Sequence, residues 1–348
     1  VSSLIKVLIV DDSALMRQML ISILESDPAF DVVGAAPHPL KARELIKKLN
    51  PDVLTLDIEM PEMNGIDFLK KIMSLRPMPV VMISSLTQSG AEMTLQALEI
   101  GAVDFVSKPQ LDFQHGMEMK AQEIIDKVKM AALAKVKAFE TPKITPIKPV
   151  PVESRSVKKK MIVIGSSTGG VEALRTVLAP LPANMPPIFV VQHMPKQFTV
   201  TFSCRLNTLT DLYVKEAEHN DIAQQGCVYI APGDRHLQVV EEKGQLVCKL
   251  SDGEAVTGHI PSANVLFDSV SEISPKDTIG VILSGMGKDG AEGLVSMKKN
   301  GAYNIGQNEQ SCVVYGMPRV AKEMGGINLE CDLKKIPSAL LNVCFETK

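Results

Sequence analysis

The chain has 348 residues, 45% of them apolar and 22% charged, with a formal charge of −3. At roughly 100–200 residues per domain this predicts about two domains, and the balance excludes a chain that is mainly disordered. No uninterrupted apolar run approaches the roughly 18–20 residues of a membrane-spanning helix, and the first ten residues lack the basic region and cleavage site of a signal peptide. The six cysteines, Cys204, Cys227, Cys248, Cys312, Cys331 and Cys344, form no C-x-x-C pair. They are expected to be reduced, buried thiols in a cytoplasmic protein rather than a metal site.

Residues 1–134 alternate apolar strand-like runs with helical patterns. The strands are Ile5–Val10, Val32–Ala35, Val53–Leu56, Val80–Ile83 and Phe105–Val106. The helix after the first strand carries Leu15, Met16, Met19, Leu20, Ile23 and Leu24 at 3.6-residue spacing, and Ile66, Leu69 and Met73 mark the helix after Asp57. Five βα units predict an α/β fold with a doubly wound parallel sheet, whose function lies at the carboxyl ends of its strands.

Those ends carry Asp11 and Asp12, then Asp57, then Ser84 and Ser85, then Lys108 before Pro109. Three crowded carboxylates repel unless a cation sits among them, and Mg²⁺ suits such oxygen ligands. A carboxylate accepts a phosphoryl group as an acyl phosphate. Lys108 would pair with that group and a serine hydroxyl would bond its oxygens. The block, with V-D-D-S at 10–13, D-I-E-M-P-E-M-N-G at 57–65 and K-P at 108–109, resembles a two-component receiver domain. The resemblance implies that Asp57 takes phosphate from a histidine kinase, that Asp11 and Asp12 help hold Mg²⁺, and that Ser84, which directly ends its strand, is preferred to Ser85 as the switch hydroxyl.

Residues 135–160 hold eight Lys+Arg against two Asp+Glu, between acidic blocks of net −5 and −4. With Pro142, Pro146, Pro149 and Pro151, the stretch 135–157 reads as a basic, extended linker. Lys158–Lys160 is too short, and too free of interleaved aromatics, to suggest nucleic-acid binding.

From Met161 the alternation restarts, in a domain taken as 158–348. Strands are expected at Met161–Ile164, Ile188–Val191, Val228–Ile230, Ile279–Leu283, Tyr303–Ile305 and Ile327–Leu329. Helices are expected at Val171–Leu178, Phe198–Leu209, Asn264–Ile273, Ala291–Lys299 and Val320–Met324. Leu237–Glu241 and Gln245–Leu250 flank a polar turn and predict an antiparallel hairpin. The block is thus a second, Rossmann-like parallel α/β domain with a β-hairpin insertion.

Gly165-Ser-Ser-Thr-Gly169 fits G-x-S-x-G with Ser167 at its centre, between a strand and a helix. It lacks the Walker lysine and G-x-G-x-x-G, which argues against a phosphate loop. Ser166 is the rival nucleophile. His193 follows the next strand and is the candidate base. Asp289, in Ser284-Gly-Met-Gly-Lys-Asp-Gly290, is the candidate that orients the imidazole, with Asp234 and Asp268 as weaker alternatives. His236 and His259 have less defined placements. The order Ser–His–Asp differs from that of α/β hydrolases.

These motifs, together with Q-H-M-P at 192–195, Y-I-A-P-G-D at 229–234, G-M-G-K-D-G at 285–290 and Q-N-E-Q-S-C-V-V-Y-G-M-P at 307–318, resemble the chemotaxis response-regulator methylesterase family (CheB). The resemblance implies hydrolysis of glutamate γ-methyl esters on chemoreceptors with release of methanol, and deamidation of receptor glutamines. Phosphorylation at Asp57 would shift the chain toward an exposed esterase site, and the ester chemistry would need no cofactor. It also implies Ser167 as nucleophile, His193 as base, Asp289 as its orienter, the Met286 N–H as oxyanion donor and Thr168 as a neighbour. Two departures stand out. The family often has alanine at position 166, and it usually shows H-R-P-S-V-D where this chain has His259-Ile-Pro-Ser-Ala-Asn264. Ile260 and Asn264 are expected to bear on substrate contacts and to stay clear of the triad. The competing class is a response regulator whose second domain only binds a partner.

Overall fold

The computed structural model describes residues 4–61, 63–85, 87–108, 114–134, 136 and 159–345. The linker reading at 135–157, save Val136, lies outside the described residues, as do Glu62, Pro109 and Lys158. The chain divides into two compact units, Val1–Lys143 and Ile144–Lys348. Among the described residues no helix is long and apolar enough to cross a membrane.

The first unit runs β1 (Ile5–Val10), α1 (Ala14–Glu25), β2 (Phe30–Ala36), α2 (Pro39–Leu49), β3 (Val53–Asp57), α3 (Gly65–Leu75), β4 (Val80–Ser84), α4 (Gln88–Ile100), β5 (Asp104–Ser107) and α5 (Gln114–Leu133). Its sheet has the order β2-β1-β3-β4-β5, and every pair is parallel. β3 and β4 are buried along their whole length, which is why they read as mostly apolar runs. The strand order turns back at β1, so the loops after β1 and β3 part and leave a crevice at their carboxyl ends.

The second unit continues with β6 (Met161–Ser166), α6 (Gly170–Leu178), β7 (Ile188–Gln192), α7 (Lys196–Asn207), β8 (Tyr213–Glu216), β9 (Cys227–Ile230), β10 (His236–Glu242), β11 (Gln245–Ser251), α8 (Ala263–Val270), β12 (Thr278–Ile282), α9 (Ala291–Lys299), β13 (Tyr303–Gln307), α10 (Met317–Glu323), β14 (Leu329–Cys331) and α11 (Ile336–Cys344). Seven strands pair in the order β14-β13-β12-β6-β7-β9-β8, all parallel. The antiparallel β10–β11 hairpin stands apart as the expected insertion. β6 lies between β7 and β12, so the switch of direction falls at β6, and a crevice opens where β6 and β12 end.

Some elements depart from expectation. β8 is a short edge strand of sequence YVKE, with too little apolar patterning to announce itself. α11 was not anticipated either; it buries Ile336, Leu340 and Cys344 at four-residue spacing. The last strand is Leu329–Cys331, not Ile327–Leu329, because Ile327 packs as a side chain over Gly306. The cysteines are free, but Cys204 is exposed on α7 and Cys331 is half-buried, so the expectation of six buried thiols holds for four.

Candidate active site and phosphorylation site

In the first unit, Asp11 follows β1 and Asp57 closes β3, and both are buried. Carboxylate oxygens of Asp11, Asp12 and Asp57 lie within 4.8 Å of one another. Asp11 Oδ2 is buried with no hydrogen-bond partner among the described residues. Burial, with Asp57 beside it, pushes the Asp11 carboxyl up to about 6. An orphaned, crowded oxygen of this kind fits a hard divalent cation. Burial also raises Asp57, although Lys108 Nζ donates to its Oδ2 at 2.8 Å. The hydrogen-bond partners of the Ser84 hydroxyl are groups other than Asp57. Ser84 is buried, accepts from Thr94 Oγ1 at 2.7 Å and lies 3.3 Å from the Gly90 carbonyl. Ser85 Oγ instead meets Glu59 Oε1 at 3.3 Å and Thr87 Oγ1 at 3.1 Å.

In the second unit, Ser166 and Gln192 are register partners at the ends of β6 and β7. Ser167 and His193 are each the next residue, so the adjacent strands bring the two residues to neighbouring strand ends. His193 N–H donates to the Ser166 carbonyl at 3.1 Å, and Ser167 N–H donates to the Ser284 carbonyl at 3.0 Å. Gly169, at φ 76°, turns the chain into α6 just behind the serine, a conformation that favours glycine.

His193 Nε2 lies 2.9 Å from Asp289 Oδ2. The Asp289 carboxylate is buried and held on every side. Ser262 Oγ donates to Oδ1 at 2.6 Å, Ala263 N–H to Oδ2 at 2.6 Å and Asn264 N–H to Oδ1 at 3.2 Å. Thr257 Oγ1 lies 2.8 Å from Oδ1, sharing its proton with the Val256 carbonyl. The donors at 262–264 form the amino-terminal turn of α8, whose dipole favours a carboxylate there. Burial pushes Asp289 up, but the bonds from His193, Ser262 and Thr257 outweigh it and hold the carboxyl well below the ordinary carboxylate range. An ionised carboxylate only accepts, so Nε2 carries the proton and Nδ1 is left as the basic nitrogen of the neutral ring. Nδ1 is buried with no partner among the described residues. Asp234, by contrast, pairs with Lys196 at 2.8 Å on the surface.

Met286 is half-buried in the loop after β12. Its neighbour Gly285 is anchored by its own N–H to the Val314 carbonyl at 3.1 Å, and the Gly285 carbonyl accepts from Met317 N–H at 2.8 Å. Ser284 Oγ donates to the carbonyl of Thr168, itself buried, at 2.8 Å, tying the two loops together.

The sequence left His236 and His259 without a defined placement, and the structure supplies one for each. His259 stacks on His193 with ring centroids 3.8 Å apart. His236 Nδ1 accepts from Ser262 N–H at 3.1 Å, which supports the turn around Asp289. The expectation that position 264 stays clear of the triad is corrected. Its backbone N–H bonds Asp289, and its buried Oδ1 accepts from Gly293 N–H at 3.0 Å, so this side chain braces α8 against α9. Ser166, the rival candidate, is buried, its hydroxyl donating to Gln192 Oε1 at 2.7 Å.

The family model described as CheB methylesterase matches residues 162–340, and that for the response regulator receiver domain matches residues 7–127. The protein-glutamate methylesterase/protein-glutamine glutaminase of Escherichia coli O6:K15:H31 is 51% identical, over 97% of this chain and 97% of its own length. That of Salmonella typhi is 50% identical over the same shares. The crystal structure of the Thermotoga maritima CheB methylesterase catalytic domain is 40% identical with a TM-score of 0.52, covering 54% of this chain and 100% of that one. The chain belongs to the CheB methylesterase family, with a response regulator receiver domain preceding the catalytic domain.

Proposed function

We propose that this chain hydrolyses glutamate γ-methyl esters on chemoreceptors and deamidates receptor glutamines, under the control of phosphorylation at Asp57. Residues 1–134 form the receiver, 135–157 the linker and 158–348 the catalytic domain. The observation that carries the catalytic reading is His193, with Nε2 fixed on a buried carboxylate and Nδ1 buried and unpaired one residue beyond the strand end beside Ser167.

Ser167 Oγ attacks the ester carbonyl carbon, and its proton passes to His193 Nδ1. The oxyanion that forms is met by the Met286 N–H, in a loop anchored before reaction begins. The carbon–methoxy bond breaks, and His193 returns the proton to the methoxy oxygen, releasing methanol. Water then attacks the acyl-enzyme, His193 takes a proton from it, and Ser167 leaves with that proton, freeing glutamate. With a glutamine substrate the first leaving group is ammonia. Asp289 holds the imidazole orientation and stabilises its protonated form. Thr168 adjoins the nucleophile on the turn into α6.

In the receiver, Asp57 attacks the phosphorus of a kinase phosphohistidine; the N–P bond breaks and an acyl phosphate forms. Asp11, Asp12 and Asp57 would hold Mg²⁺, which when bound neutralises charge between carboxylates and phosphoryl oxygens. Lys108 exchanges its Asp57 partner for the phosphoryl group, and the Ser84 hydroxyl turns toward it.

Methanol release from purified methylated receptor, with and without a phosphodonor, tests both parts. Ser167→Ala is expected to lower turnover by about 10³-fold or more; near-native turnover would eliminate the assigned nucleophile. Asp57→Asn is expected to remove phosphoryl uptake and the response to phosphodonor. A native chain indifferent to phosphodonor would remove the switch.

A further inference from the structure

Ser166 and Gln192 close β6 and β7, each one residue before a member of the catalytic pair, and both are buried. Ser166 Oγ donates to Gln192 Oε1 at 2.7 Å. A donor on Oε1 fixes which end of the carboxamide accepts, and so points Nε2 the other way. Nε2 donates to the Ser167 carbonyl at 3.0 Å and to the His193 carbonyl at 3.2 Å. One amide group therefore ties together the two peptide units that carry the hydroxyl and the imidazole. Room for it is made by Gly170. A Cβ there would lie 2.1 Å from Gln192 Oε1 and 3.0 Å from Ser166 Oγ.

We propose that Ser166 and Gln192 form a positioning clamp for the reaction. Gln192 sets the spacing of Ser167 and His193 through their carbonyls, and Ser166 acts through Gln192 by locking the amide against a flip. The inference rests on the reading of Ser167 and His193 as nucleophile and base. The clamp touches neither substrate nor reacting atoms. It governs alignment in the transition state rather than substrate affinity, so its loss appears in kcat and not in KM.

The test compares methanol release by the full-length chain, with phosphodonor present, in the native form, Ser166→Ala, Gln192→Leu and the double variant. Rates are normalised to the folded fraction from circular dichroism. Gln192→Leu is expected to lower kcat by about 10- to 100-fold with KM changed less than about twofold, the scale of an ångström's misplacement of reacting groups. Ser166→Ala, which removes one buried hydrogen bond, is expected to lower kcat by about 2- to 10-fold. The double variant should be no slower than Gln192→Leu, because one residue works through the other. Native kcat in both single variants, additive losses in the double, or a rise in KM that accounts for the loss overturns the clamp. Should Gln192→Leu not fold, Ser166→Ala decides alone, and an unchanged kcat overturns it. Ser167→Ala runs alongside. If that chain still turns over, the reading of the catalytic pair fails; if it is inactive while the clamp variants are native, only the clamp fails.

Discussion

The Asp289 carboxylate concentrates more of the catalytic domain's polar chemistry than any other side chain described around the site. Its ionised form is stabilised in the fold by two hydroxyls, two backbone N–H groups and an imidazole. Asp289→Asn keeps the shape but cannot stabilise an imidazolium and admits the wrong tautomer of His193. Turnover is expected to fall by about 10³- to 10⁴-fold, read by methanol release. Stability carries a matching signature. The native carboxyl titrates below an unfolded aspartate, whose value is about 3.9. Its contribution is therefore whole above that pH and drains away as the pH falls further toward the native value. Urea unfolding between pH 3 and 5 should show the native chain weakening on acidification more steeply than Asp289→Asn; parallel slopes would contradict the assignment.

At the level of elements, the sites are made by how tightly a helix or loop is pressed against a strand end. α3 begins so close to β3 that a Cβ on Gly65 would lie 2.0 Å from the Asp57 carbonyl oxygen, a backbone atom that cannot swing aside. Gly65→Ala is expected to destabilise the receiver by about 1–3 kcal/mol through overpacking and to slow phosphoryl uptake at Asp57. Thermal unfolding and uptake from a small phosphodonor check the two effects. In the catalytic domain the amino-terminal turn of α8 serves the same end by different means. It brings Ser262, Ala263 and Asn264 to a carboxylate on the loop before α9, so α8 and α9 are bound through the site itself.

For the molecule as a whole, each unit owns a sheet and a core, and each sheet places its chemistry where its strand order changes direction. Units built this way melt as separate cooperative blocks. Calorimetry of the full chain is expected to resolve two transitions, with Gly65→Ala lowering one and Asp289→Asn the other. A single transition lowered by both would show that the two blocks unfold as one.

Much was legible without coordinates because parallel strands buried on both faces leave continuous apolar runs, and the polar residue that ends such a run must lie on the sheet's functional rim. That logic singled out Asp11, Asp57, Lys108, Ser167 and His193 as candidates, and the structure sets each at or just past a strand end. It was blind to β8, an edge strand with few buried positions, and it misjudged position 264. The bond of the Ser166 hydroxyl to Gln192, that of Thr94 to the Ser84 hydroxyl, and the gathering of Thr257 and Ser262 around Asp289 were decided only in three dimensions. Sequence order records which residue ends a strand. Which way a side chain then points, and which distant loop meets it, depends on the packing of neighbouring strands and helices, and a linear pattern does not carry that.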